Sequence, residues 1–205
     1  MTPRLLETMR ADGGRIALLD RHLARLATSA AALGHDLDAA DVRQRVERAA
    51  MGSGPWGVRL TVGVGGDIEI ETWALTDAPM RSAWIDPEPL AEAGTALCLH
   101  KTTRRAHYRR RWDRARSLGA DEAILVNAQG FVTEGTRTNV WAEVDGRLWT
   151  PPLAAGGLAG VYRGDVLATN PGAGERPLTP DDLRHADSVF LSNALRGWMP
   201  VQLVG

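Results

Sequence analysis

Lys101 is the only lysine among 24 basic residues, and the other 23 are arginines. A guanidinium keeps its proton in proteins, whereas an amine can be tuned neutral and condense with a carbonyl as a Schiff base. One lysine kept in a chain that otherwise writes arginine nominates itself for covalent chemistry, although a leftover surface lysine would look the same. Glu134, in "FVTEGTRTNVW", ends a short apolar run, and Gly135 lets the chain turn sharply there. Such a carboxylate is either a cofactor ligand or a solvent-facing strand end. Gly156, Gly157 and Gly160, in "AAGGLAGVYR", precede an expected helix, where backbone N–H groups can converge on an anion or simply form a turn. This loop is neither G-x-x-x-x-G-K-[ST] nor G-x-G-x-x-G. Arg25 shares a helical face with His22 and either grips a phosphate bidentately or lies on the surface with a buried stem.

The composition narrows the class of protein that carries these residues. At 205 residues, 44% apolar and net charge -1, the chain has ample material for a core and no global field to attract nucleic acid or an anionic membrane. A single cysteine, Cys98, excludes an intrachain disulfide and a thiolate zinc cluster. The five histidines show no metal-clasping spacing, and no G-x-S-x-G elbow occurs. The opening "MTPRLLETMRADGG" lacks a signal-peptide core and no run reaches membrane-helix length, so a cytoplasmic protein without a membrane role is expected. Seven arginines crowd residues 104–116 and raise the alternative of a nucleic-acid helix. Tyr108, Trp112, Ala115 and Gly119 nevertheless form a stripe between them, which predicts a packed amphipathic helix with a solvated charged face and no nucleic-acid partner.

The elements that must position the candidates are α/β. Short strands at 4–9 and 14–19 flank the "ADGG" turn signal. A helix over "LLDRHLARLATSAAALG" has Asp20 as candidate N-cap and Gly34 as its stop. A second helix covers "DAADVRQRVERAAM", and two alternating strands flank "GVGGD". Residues 79–94, with Pro79, Pro87 and Pro89, are the expected linker between a small domain (1–78) and a larger one (95–205) that carries the lysine. Beyond the linker come a strand at "TALCLHK", a helix at 104–118, strands at "EAILVN", "FVTE", "NVWAEV" and "RLWTPP", a helix from about Gly164, the strand "SVFLSN" and a tail.

Taken in order, "LLETMR", "LLDRHLARLATSAAALG", "HKTTRRAHY", "DEAILVNAQGFVTEGTRTNVW", "LAGVYRGDVL" and "ADSVFLSNALRGWMPV" resemble the fold-type IV pyridoxal-phosphate enzymes. That group (class IV aminotransferases) includes branched-chain and D-amino-acid aminotransferases and 4-amino-4-deoxychorismate lyase. The 33-residue interval from Lys101 to Glu134 also suits it. The resemblance is closest to the lyase branch, whose members release pyruvate and give 4-aminobenzoate for folate synthesis. An aminotransferase acting on a branched-chain or D-amino acid is the alternative.

The resemblance implies a two-domain fold like D-amino-acid aminotransferase, with pyridoxal 5'-phosphate in the interdomain cleft. Lys101 would bind the cofactor covalently and act as general base, and Glu134 would pair with the pyridine nitrogen. Arg25 and the N–H groups of Val161 and Tyr162 would hold the phosphate, with Asn193 and Ala194 closing that pocket. Arg137 and Arg196 are candidates for the substrate's two carboxylates. A homodimer is expected, with a small-molecule substrate and a functional link to aminodeoxychorismate synthase. The chain departs from the aminotransferases at one position. They usually place a tyrosine five residues after the lysine, near the cofactor's phenolic oxygen, and here that residue is Ala106, with Tyr108 two further on.

Overall fold

A computed structural model describes residues 3–50, 52, 54–76 and 80–205. The chain forms two compact units, one of Met1–Asp77 with His100–Arg104 and the other of Ala78–Leu99 with Arg105–Gly205. The expected domain boundary at 78 and the first linker residue, Pro79, lie outside the described residues.

In the first unit, β1 (Leu5–Asp12) turns through Gly13 and Gly14 into the two-residue β2 (Arg15–Ile16). Both glycines have positive φ, as a tight hairpin needs. Helices α1 (Leu19–Leu33) and α2 (Ala39–Ala49) follow, then β3 (Trp56–Val62) and β4 (Ile68–Ala74). The antiparallel sheet runs β2-β1-β3-β4. Leu5, Met9 and Ala11 alternate inward from β1 and pack with Leu26, Ala30, Val42, Val46, Val58 and Leu60. Gly34 caps α1 in the left-handed conformation, and Asp38 caps α2 by accepting from the N–H groups of Ala40 and Asp41. Asp20 is not the cap of α1. That position is Leu18, so Asp20 falls in the first turn, where its charge complements the helix dipole and pairs with Arg43.

The second unit holds β5 (Ser82–Ile85), α3 (Ala96–Leu99), α4 (Ala106–Ser117), β6 (Glu122–Val126), β7 (Val132–Gly135), β8 (Asn139–Val144), β9 (Arg147–Thr150), α5 (Val161–Thr169), β10 (Ala173–Glu175), α6 (Pro180–Arg184), β11 (Ser188–Asn193) and β12 (Gly197–Leu203). One mixed eight-stranded sheet runs β10-β9-β8-β11-β12-β5-β6-β7. Every residue of β6 is buried, because the strand is covered on both faces. Ala123 and Leu125 pack with Tyr108 and Ala115 of α4, while Ile124 and Val126 join a core with Val132, Val140, Leu183 and Leu191.

Other expectations change in the second unit. The described part of the 79–94 stretch is no linker, since β5 lies in the sheet between β12 and β6 and Asp86 and Leu90 are buried. "TALCLHK" contains the short helix α3, held by the N–H groups of Cys98 and Leu99 on the Thr95 carbonyl, rather than a strand. The expected tail contains β12, whose turn glycine and Pro200 masked the strand pattern. The helix expected from Gly164 starts three residues earlier, at Val161.

The arginine face of α4 is not wholly solvated either. Arg111 is buried, donating to Asp86 at 2.7 Å and to the carbonyls of Glu88 and Pro89. Breaking a buried pair from one side leaves an uncompensated charge. Asp86→Ala should therefore lower stability by about 3–5 kcal/mol, read as a lower urea midpoint.

Candidate active site

In the first unit, residues 101–103 run as a short antiparallel extension beside β1. The Leu6 N–H donates to the Lys101 carbonyl at 2.9 Å, and the Thr103 N–H donates to the Arg4 carbonyl at 2.9 Å. Leu5 and Thr102 form the β-bridge between them. One residue earlier, His100 Nδ1 lies 3.0 Å from Ser29 Oγ on α1. The main chain at Lys101 is thus fixed by β1 and its neighbour by α1.

Arg25 projects from α1 onto Glu7, the residue of β1 next to Leu6. Its Nε donates to Glu7 Oε1 at 2.9 Å and its Nη2 to Oε2 at 2.5 Å, a bidentate fork. His22 Nδ1 lies 2.6 Å from the same Oε2, and a carboxylate accepts, so Nδ1 carries the hydrogen. Glu7 is only 2% exposed, yet it sits on the face of β1 that carries Leu5 and Met9. Burial alone would raise its pKa. The Arg25 charge and the hydrogen bonds from His22 and Arg25 outweigh that and hold it at about 2, against an ordinary 4.5. Lys101 and Arg25 therefore hang from adjacent residues of one strand. The Arg25 guanidinium is oriented by an anion.

A carboxyl whose folded pKa is depressed contributes stability that is fully present above 4.5 and is lost as pH falls toward 2. Glu7→Gln should lower stability at neutral pH and flatten the loss over that acid window. Urea midpoints measured across the window would check it.

In the second unit, Glu134 is the third residue of β7 and 5% exposed. Its Oε1 accepts from the Tyr108 hydroxyl at 2.5 Å. Burial drives the Tyr108 phenol far above its usual range, and the Glu134 charge adds to this, so Tyr108 is the donor. After Gly135 the chain turns around a second buried carboxylate. Glu122 accepts from the N–H groups of Thr136 and Arg137, at 3.1 Å each, and from the Thr136 hydroxyl. A side chain at Gly135 would collide with Thr138 Oγ1. This turn presents Arg137, whose guanidinium lies 4.4 Å over the Trp112 ring. Burial lowers the Arg137 pKa, Glu122 counters it, and the charges of Arg196, Arg116 and Arg105 lower it further.

The glycine loop packs on the same strands. A Cβ at Gly157 would lie 3.0 Å from the Thr133 carbonyl oxygen and 3.3 Å from Glu134 Cβ, and one at Gly160 would collide with Asn139 Oδ1. Asn139 Nδ2 donates to the Leu158 carbonyl at 3.0 Å. Gly160 then begins α5 with no side-chain cap, leaving Val161 and Tyr162 to present main-chain N–H groups at a helix start. Asn193 ends β11. Its Oδ1 accepts from the N–H groups of Leu195 and Arg196, and its Nδ2 donates to the Arg137 carbonyl at 3.3 Å. Ala194 lies in that turn before β12, and Gly197 approaches the Tyr162 ring.

Glu134, Arg137, Val161, Tyr162, Asn193, Ala194 and Arg196 thus gather around the 135–139 turn of the second unit, whereas Lys101 and Arg25 share β1 in the first. Sequence reasoning missed Glu7, Glu122 and the partnership of Tyr108 with Glu134. The signal for Glu7 was present, because "LLETMR" alternates with a charge at an inward position.

A sequence model of the family described as "Amino-transferase class IV" matches residues 4–204. A candidate aminodeoxychorismate lyase of Schizosaccharomyces pombe is 30% identical over 200 residues, 94% of this chain and 86% of that protein. Among solved structures, a candidate amino-acid aminotransferase from Mesorhizobium loti superposes with a TM-score of 0.87 at 36% identity, covering 98% of this chain and all of that one. The 4-amino-4-deoxychorismate lyase of Pseudomonas aeruginosa matches with a TM-score of 0.80 at 27% identity, covering 98% and 82%. A match over nearly the whole length, on a fold that groups the same motifs, leaves one conclusion: the chain belongs to the class IV aminotransferase family.

Proposed function

We propose that the chain is a pyridoxal-phosphate-dependent 4-amino-4-deoxychorismate lyase, acting as a homodimer. The observation that carries this reading over transamination is the fate of the phenol. Position 106, where the aminotransferases place a tyrosine near the cofactor's phenolic oxygen, is alanine, and the nearby Tyr108 hydroxyl is committed to Glu134. The full-length likeness to the Schizosaccharomyces pombe relative supports the same branch. The likeness to the Mesorhizobium loti protein favours an aminotransferase as the second reading.

The residues fit the cofactor's chemistry. An uncapped helix start reached through a glycine loop suits a phosphate dianion, a buried carboxylate suits a protonated ring nitrogen, and the chain's one lysine has the amine chemistry to condense with a carbonyl. Val161, Tyr162 and Arg25 would hold the phosphate, with Asn193 and Ala194 bordering it, Glu134 would hold the ring nitrogen, and Lys101 would be the covalent anchor. When bound, pyridoxal phosphate supplies a ring that takes up an electron pair from the substrate carbon next to the amine. Lys101 would be the base that takes the proton from that carbon. Arg137 and Arg196 hold the two carboxylates. The proposed reaction would break the neighbouring C–O bond, the enolpyruvyl fragment leaving with the bonding pair and gaining a proton as pyruvate, so that the substrate ring would become aromatic.

The purified protein with pyridoxal phosphate should show a visible band that Lys101→Ala lacks, and borohydride should remove the band while fixing the cofactor to the chain. It should then form pyruvate and 4-aminobenzoate from 4-amino-4-deoxychorismate. Conversion of the bound cofactor to its amine form by amino acids, without lyase turnover, would assign it to the aminotransferases instead. Arg196→Ala should raise KM about tenfold or more, the worth of one charge-assisted hydrogen bond, with the visible band unchanged.

A further inference from the structure

We propose that Tyr108 is a positioning residue: its hydroxyl fixes the carboxylate of Glu134 and thereby sets how strongly that carboxylate holds the proton on the cofactor's ring nitrogen. This rests on the cofactor reading above and deepens it. Tyr108 is 3% and Glu134 5% exposed, so water cannot replace the 2.5 Å hydrogen bond between them. The phenol ring is itself held. Its centroid lies 4.1 Å from that of His107, and the Arg105 guanidinium lies 4.3 Å away over the ring. Arg105 in turn donates to the Thr136 carbonyl at 2.6 Å, on the turn that follows Glu134. One clamp therefore joins the α4 start to both the carboxylate and its turn.

The direction of the hydrogen bond is also determined. Burial keeps the Tyr108 phenol protonated, and the Glu134 charge adds to this. A carboxylate can only accept, so the phenol's hydrogen lies toward Glu134. The functional consequence is a relocation. The aminotransferases set a phenol beside the cofactor's oxygen, whereas this chain spends one on the partner of the ring nitrogen, the atom that governs how well the ring accepts electrons.

Tyr108→Phe removes only the hydroxyl and keeps the ring contacts. Without the donor, Glu134 becomes more basic and draws the ring proton toward itself, leaving the ring nitrogen less positive. The expected results are about tenfold weaker retention of pyridoxal phosphate and an upward move of about half a unit or more in the pH midpoint of the visible band. Adding Tyr108→Phe to Glu134→Gln should then cost little further retention, because the two act through one bond. An unchanged midpoint and unchanged retention, with only a lower melting temperature, would overturn the proposal, as would full additivity in the double variant. A wild-type protein that shows no visible band at all would remove the cofactor reading and this inference with it, a result separable from either.

Discussion

Burying a carboxylate is costly unless its oxygens are supplied with donors, and Glu122 shows how this chain meets that requirement. The side chain is fully buried at the start of β6, and burial raises its pKa. The N–H groups of Ala123, Thr136 and Arg137 and the hydroxyls of Thr136 and Thr138 converge on it. Those donors can reach it only if the chain after Glu134 folds back sharply. The turn at 135–138 is therefore the way the fold satisfies one anion. The neighbouring segments take their places from that turn: Asn139 meets the glycine loop, Asn193 meets the Arg137 carbonyl, and α5 starts where that loop ends.

The first unit repeats the logic with different partners. Glu7 occupies a core position on β1 and is stabilised by His22 and Arg25, so an arginine proposed for phosphate binding is anchored before any ligand arrives. A long side chain that is already ordered loses less rotamer freedom on binding than a solvated one. The two carboxylates resemble each other in purpose. Each converts a buried charge into the placement of a functional element.

Much of this was legible in the sequence where local signals were strong. Asp38 and Gly34 mark helix ends by their own chemistry, and the alternation of 56–62 and 68–74 is plain. Lys101 and Glu134 stood out by rarity and setting. What stayed hidden was non-local. β5 and β12 are strands only because they pair with each other and with β6 and β11, while β12 itself carries glycine and proline. Arg111 reads as one of seven surface arginines until Asp86, 25 residues away, is brought beneath it. The Tyr108–Glu134 bond joins residues 26 apart on a helix and a strand, which no periodicity announces.

The first unit is discontinuous, and that has a bearing on how the chain can be divided. The main-chain groups of Arg4 and Leu6 are completed by residues 101 and 103, which arrive only after α3 has been made. A fragment ending near residue 77 would expose that edge of β1 as an open template for pairing with other chains. During synthesis the same edge must wait until the segment beyond α3 emerges. The peptide that bears the lone lysine thus also closes that edge of β1, a structural part separate from any chemistry at its side chain.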